Sequence, residues 1–214
     1  KPATSSSAPG PQEPKPPFPY REEEVTFMNT AENFSLAGTL TLPEGDGPFP
    51  AVVLISGSGQ QDRNETIFLH KPFMVLADHL TRNGIAVLRY DDRGVGKSKG
   101  KTNNATSLSF ADDAEAAVNF LLQRPEINKK KIGLAGHSEG GLIAPIVASR
   151  NSNIAFIVSL AGPGVSGREI MLRQAGDILI GWFDRRRLLA SMDLQDFQQL
   201  IEKMYSHKDR ARGP

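Results

Sequence analysis

The sequence predicts an α/β fold on a mostly parallel sheet, and three observations carry that prediction. The run Ala51-Val52-Val53-Leu54-Ile55 is apolar throughout, the mark of a strand buried on both faces inside a parallel sheet. From there to residue 160, strand-like segments alternate with segments of helical periodicity. Finally, the glycine-flanked serine of Gly136-His137-Ser138-Glu139-Gly140 stands where one such strand gives way to a helix.

The elements follow in order. Residues 1 to about 20 hold seven of the 15 prolines, mixed with serine and charge, and read as an extended linker over 1–21. Val25 and Phe27, then Leu36, Gly38, Leu40 and Leu42, alternate as strand faces do. The polar stretch 29–33 between them predicts an antiparallel pair. After the turn residues 43–48 comes the buried strand, then a helix near 68–83, a strand over 85–89 and a helix near 109–123. In the last of these, Ala114, Ala117, Val118, Leu121 and Leu122 form one apolar stripe, and Ser109 with Asp112 reads as its capping box. A strand over 131–135, a helix from Ser138 and a strand over 154–160 complete the series. Gly140, Gly141 and Pro145 all oppose the helix after Ser138, so tertiary packing has to hold it. Two amphipathic stretches, 168–182 and 184–206, follow without a further strand.

Composition excludes several classes of function. The 214 residues suffice for one sizeable core, and 25 basic against 24 acidic residues leave a net charge of +1, with no field to recruit nucleic acid. Arg185-Arg186-Arg187 reads as a solvated face. There is no cysteine, hence no disulfide, thiol nucleophile or thiolate metal site. No apolar run is long enough to span a membrane. The chain opens on Lys1 without an apolar signal core, which suggests a processed N-terminus and favours a periplasmic or secreted location over the cytoplasm.

The chemistry centres on Ser138. A sharp strand-to-helix turn lifts the serine hydroxyl above the sheet, and the flanking glycines let strand and helix approach. The loop Ser56-Gly57-Ser58-Gly59-Gln60 directly after the buried strand is made of small residues whose amides can face a substrate. With it, the N–H groups of Ser58 and Glu139 become the expected oxyanion donors. A serine needs a general base, and sequence places none of the four histidines in that role. His137 neighbours Ser138 on the turn and supports the elbow, His70 and His79 fall on the first helix after the buried strand, and His207 lies in a charged tail. Two phosphate-site look-alikes fail. Gly96-Lys97-Ser98 lacks the glycine a P-loop needs at position 91, and the glycines at 162, 164 and 167 have no following strand to present a ribose-binding acid.

Three ordered segments resemble the α/β-hydrolase superfamily, most closely the bacterial EstD-like esterases and the serine aminopeptidase-type hydrolases: 54–63, Arg89-Tyr90-Asp91-Asp92-Arg93-Gly94-Val95-Gly96-Lys97-Ser98, and 136–141. The resemblance covers roughly residues 22–205. It implies an α/β-hydrolase fold with a core over 22–164 and a helical cap over 165–214. It also implies Ser138 as nucleophile, Ser58 and Glu139 as backbone oxyanion donors, small carboxylic esters as substrates, and neither cofactor nor metal. Ser56 stands where the family often carries histidine. In the family, two strands beyond the cap carry the catalytic acid and histidine. The chain is therefore expected to be truncated after the sixth strand and the start of the cap, with the strand at 154–160 needing a second chain or a missing C-terminal segment to cover its edge. A peptidase or thioesterase of the same fold, and a non-catalytic binding module, are the alternatives.

Overall fold

A computed structural model describes residues 12–165, 168–170 and 172–173. The chain separates into a unit of Lys1–Gly162 and a unit of Pro163–Pro214. In the first unit the chain order is β1 (Arg21–Asn29), β2 (Phe34–Leu42), β3 (Phe49–Ile55), α1 (Pro72–Arg82), β4 (Ala86–Tyr90), α2 (Ser107–Leu122), β5 (Ile127–His137), α3 (Gly140–Arg150) and β6 (Ile154–Leu160). One six-stranded sheet runs in the order β1-β2-β4-β3-β5-β6. β1 and β2 pair antiparallel, β2 joins β4 antiparallel, and β4, β3, β5 and β6 are parallel. This is the mostly parallel α/β sheet that the alternation of elements predicts.

The apolar run of β3 shows why such a strand needs two covered faces. Ala51, Val53 and Ile55 point into a core with residues of α2 and α3, including Ala114, Val118, Ile143 and Val147. Val52 and Leu54 point the other way, against Phe73 and Ala77 of α1. All five are at most 3% exposed. The loops at the C-terminal ends of β3, β4 and β5 therefore emerge from a centre packed on both faces.

Local chemistry moves some boundaries. The first helix starts at Pro72, where a missing N–H costs nothing, so His70 precedes α1 and pairs with Ile67 in an isolated bridge. His79 does lie on α1. In α2 the N-cap is Thr106 and Ser109 is its N3 partner, so the capping box sits one turn earlier than the Ser109–Asp112 pair expected from sequence. Pro145 stays within α3, whose Gly140, Gly141, Ile143, Ala144 and Val147 are buried; packing overrides the local preference. The end of the proline-rich segment is tied to the α1 region: Lys71 pairs with Glu13 at 3.1 Å and Tyr20 Oη donates to Asp78 at 2.9 Å.

At the far edge, β6 pairs with β5 alone among the described residues, and Phe156, Ile157 and Val158 are each 42% exposed. Three consecutive exposed residues mean that both faces of this strand are open. No helix among the described residues is long and apolar enough to cross a membrane. In the second unit, residues 168–170 and 172–173 are helical and Arg173 pairs with Glu169 at 2.6 Å. The arginine run at 185–187, His207, the stretch 184–206 and most of the expected cap lie outside the described residues.

Candidate active site

β5 ends at His137, and Ser138 follows with φ of +50° before α3 begins at Gly140. That left-handed conformation is unfavourable for a residue with a Cβ and makes the sharp turn of a nucleophile elbow. The turn also demands its flanking glycines. A Cβ on Gly136 would stand 1.9 Å from the Gly140 carbonyl oxygen, and one on Gly140 would stand 2.2 Å from that of Ile55. The Ser138 N–H donates to the Leu160 carbonyl at 2.9 Å, tying the elbow to the end of β6, while the Ser138 carbonyl accepts from Gly141 N–H at 3.0 Å. His137, Ser138 and Glu139 are all half-buried.

The loop after β3 runs beside this turn. A Cβ on Gly57 would lie 3.2 Å from the Ser138 Cβ, so the loop passes close beside the elbow with no room for a side chain there. Ser58 is exposed at the loop's crest. Among the described residues, neither the Ser58 amide nor the Glu139 amide has a protein acceptor. The Glu139 side chain turns away from the serine and accepts from Ser107 Oγ of α2 at 2.7 Å. Gly57, Gly59, Asp92, Phe110, Glu139 and Ile143 border a crevice of about 10 Å³. It holds about one water, too little for a substrate group. The larger hollows, 460 Å³ beside His70 and His79 and 600 Å³ beside Arg63 and Arg89, do not include Ser138.

Three acids and their partners hold the loop. Asp92 accepts from Ser56 Oγ at 2.7 Å and from Gln61 N–H at 3.0 Å. Burial pushes its carboxyl up to about 6 against those hydrogen bonds. Asp91 is also buried, but Arg63 grips it through Nε and Nη2 at 3.0 and 2.8 Å, and its carboxyl falls below the ordinary range. Arg63 reaches on to Glu24 and Thr39 with Nη1, anchoring the loop on β1 and β2. Glu65 is only 2% exposed, and its Oε1 accepts from Gly57 N–H at 2.7 Å and lies 2.7 Å from His137 Nδ1.

The structure sets Gly57, the residue before Ser58, beside Ser138, with Glu139 next on the turn. His137 engages Glu65 and makes no hydrogen bond to Ser138, in keeping with its supporting place on the turn. Glu65 and the loop-holding function of Asp92 escape sequence reasoning. Glu65 sits in the polar stretch Asp62-Arg63-Asn64-Glu65-Thr66, which resembles any solvated loop. The local signal was Asp62, which accepts from the amides of Asn64 and Thr66 and curls the chain so that Glu65 adopts φ of +51° and turns inward. Among the described residues no cluster of histidines and acids could hold a metal ion.

Known proteins resemble this chain in sequence and in fold. The chain is 35% identical over 155 residues to esterase EstD of Thermotoga maritima, covering 72% of this chain and 35% of that protein. It is 31% identical over 144 residues to human acyl-coenzyme A thioesterase 1, covering 66% of this chain and 30% of that protein. The chain thus spans about a third of the length of these relatives. Among solved structures, the α/β hydrolase GrgF from Penicillium sp. sh18 superposes with a TM-score of 0.59 at 23% identity, covering 89% of this chain and 67% of that one. The Pyrococcus furiosus esterase Pf2001 gives 0.55 at 27% identity, covering 67% and 52%. The sheet order, the elbow and these superpositions define an α/β-hydrolase fold. The family described as serine aminopeptidase, S33, matches residues 70–211, about two thirds of the sequence, and the chain belongs to that family.

Proposed function

We propose that Ser138 is the nucleophile of a serine hydrolase that cleaves small carboxylic esters through an acyl-enzyme. The observation that carries this reading is the strained Ser138 turn packed against a loop whose Ser58 amide, like that of Glu139, has no protein acceptor among the described residues. Ser138 Oγ attacks the ester carbonyl carbon and gives its proton to a general base. The carbonyl oxygen becomes an oxyanion that receives the Ser58 and Glu139 N–H groups. Collapse expels the protonated alcohol and leaves the acyl group on Oγ, and water then repeats the attack to release the acid. The reading requires neither metal nor organic cofactor.

The base and its orienting carboxylate belong, in this proposal, to chain beyond Pro214, since the sequence spans about a third of its relatives. The same continuation, or a second chain, would cover the open apolar edge of β6. Without a base, the oxyanion donors alone leave a residual acceleration on the order of 10³–10⁴ over water. A thioesterase is the second reading, favoured by the similarity to acyl-coenzyme A thioesterases.

The test compares p-nitrophenyl acetate with a matched acetyl thioester, using the 214-residue chain, a version extended by the sequence that follows it, and Ser138→Ala in both. Ser138-dependent ester turnover by the extended protein, with weak turnover by the short chain, is the expected result. Preference for the thioester would move the assignment to the second reading. Failure of a fluorophosphonate to label Ser138 in the extended protein would sink both and leave a binding module.

A further inference from the structure

We propose that Glu65 is a positioning residue that locks the oxyanion loop to the nucleophile elbow through a single carboxylate oxygen. The inference rests on Ser138 and the Ser58 amide having the roles just proposed. It assigns a part to a residue outside the attacking group and its amide donors.

Glu65 Oε1 has two partners, Gly57 N–H and His137 Nδ1, each at 2.7 Å. Gly57 precedes the proposed donor Ser58, and His137 precedes Ser138. One oxygen therefore fixes the spacing between the residue before the donor and the residue before the nucleophile. An ionised carboxylate only accepts, so its imidazole partner carries its hydrogen on Nδ1. That choice fixes both tautomer and ring orientation when the imidazole is neutral.

The surroundings suit a spacer more than a solvated acid. Glu65 is 2% exposed, its backbone is held at φ of +51°, and its own N–H donates to the Asp62 carbonyl at 2.9 Å. The loop is tied at other points too, through Ser56 and Gln61 to Asp92 and through Arg63 to Asp91. Among the described residues, Glu65 alone bonds the loop directly to the elbow. Catalytic donors have to stand within a few tenths of an ångström of the developing oxyanion, so this bridge bears on rate more than on substrate affinity. A buried negative charge near an oxyanion opposes its formation, which is a reason to look for geometry rather than charge in the role of Glu65.

The experiment uses the full chain, extended as above for the kinetic arm, with Glu65→Ala and Glu65→Gln. A glutamine carbonyl oxygen can accept both bonds without the charge. Amide exchange is followed by NMR at Gly57, with Val53 in adjoining β3 as the control for global opening. Glu65→Ala should speed Gly57 exchange at least tenfold relative to Val53, and Glu65→Gln should restore it to within threefold of wild type. In fluorophosphonate labelling, Glu65→Ala should slow the maximal rate about 30-fold while the half-saturating concentration stays within threefold. Unchanged Gly57 exchange in Glu65→Ala, or acceleration of Gly57 and Val53 together, would overturn the proposal. So would a labelling defect expressed only in half-saturation. If wild-type Ser138 takes no label, the function proposed above fails, and the exchange arm still decides whether Glu65 locks the loop.

Discussion

Ser56 Oγ donates to Asp92 Oδ1 across 2.7 Å, joining the first residue after β3 to the turn that follows β4. The acceptor is 5% exposed, and burial, the largest influence on it, pushes its carboxyl from 3.8 up to about 6. Between roughly pH 4 and pH 6, the folded protein keeps a proton that the unfolded chain has released. The stabilisation from this group is full below pH 4 and disappears as the pH rises through 6, by on the order of 3 kcal/mol at about 1.36 kcal/mol per unit. In Asp92→Asn the amide oxygen can accept from Gln61 N–H and the NH₂ can donate to Ser56 Oγ. The variant should equal or exceed wild-type stability at pH 7.5 and lose that advantage at pH 4.5. Urea unfolding of both proteins at the two pH values measures the difference, and an identical difference at both would refute the assignment.

Arg93 and Asp113 form a buried pair that holds the loop after β4 on α2. Both side chains are 1% exposed, with Nε–Oδ2 at 2.7 Å and Nη2–Oδ1 at 3.0 Å, and Asn29 Nδ2 donates to the same carboxylate at 2.6 Å. Arg93 Nη1 also pairs with the more exposed Glu32 Oε1 at 2.7 Å, so losing Asp113 strips the guanidinium of its buried partner and leaves only that outer one. Breaking a buried pair from one side costs about 3–5 kcal/mol, whereas replacing both sides with apolar groups can be nearly neutral. Asp113→Ala should therefore lose about 3–5 kcal/mol, and Arg93→Met with Asp113→Leu should recover at least half. A cost under about 1 kcal/mol for the single variant would show that Glu32 and water suffice for the guanidinium.

These two examples mark what was legible in the sequence. The sheet could be read because β3 is apolar on both faces, and the elbow could be read because the glycines on both sides of Ser138 form a short contiguous motif, although only Gly136 is demanded by a near neighbour while Gly140 is demanded by the distant Ile55 carbonyl. The chemistry of Arg89 to Ser98 could be matched to a family but not interpreted. Asp91, Asp92 and Arg93 are consecutive charged residues, yet each turns to a different partner: Arg63, Ser56 and Asp113. Which way each points depends on segments 20 to 36 residues away, and no local pattern encodes that. Glu65 was hidden for the same reason, since its burial exists only once the loop lies against His137. The shifted capping box is a smaller case: Thr106 and Ser109 both suit an N-cap, and three residues of chain direction decide between them.

Gly136→Ala should be among the most damaging small substitutions. Its Cβ would stand 1.9 Å from the Gly140 carbonyl oxygen, a backbone atom that cannot move without opening the elbow. Overpacking against backbone costs about 1–3 kcal/mol and sometimes more, and here the upper end is expected, with loss of Ser138 labelling. Gly164→Ala is the matched control, because a Cβ there meets nothing within 4 Å among the described residues. Its stability should stay within about 0.5 kcal/mol of wild type. Comparable thermal midpoints for the two variants would contradict the close approach.

Ser138→Gly tests whether the elbow stores strain for chemistry. At φ of +50° any residue with a Cβ meets its following carbonyl, at a cost of roughly 1–2 kcal/mol that glycine avoids. Glycine loses part of that gain because its unfolded chain is freer. Ser138→Ala keeps the Cβ and removes only the hydroxyl, so the comparison between the two variants isolates the backbone. Both should abolish fluorophosphonate labelling, and Ser138→Gly should be about 0.5–1 kcal/mol more stable than Ser138→Ala in urea. If glycine were the less stable of the two, the turn would be set by packing that favours the side chain. If the order holds, the serine occupies a position where a residue of no catalytic use would fold better, the signature of a trade of stability for function.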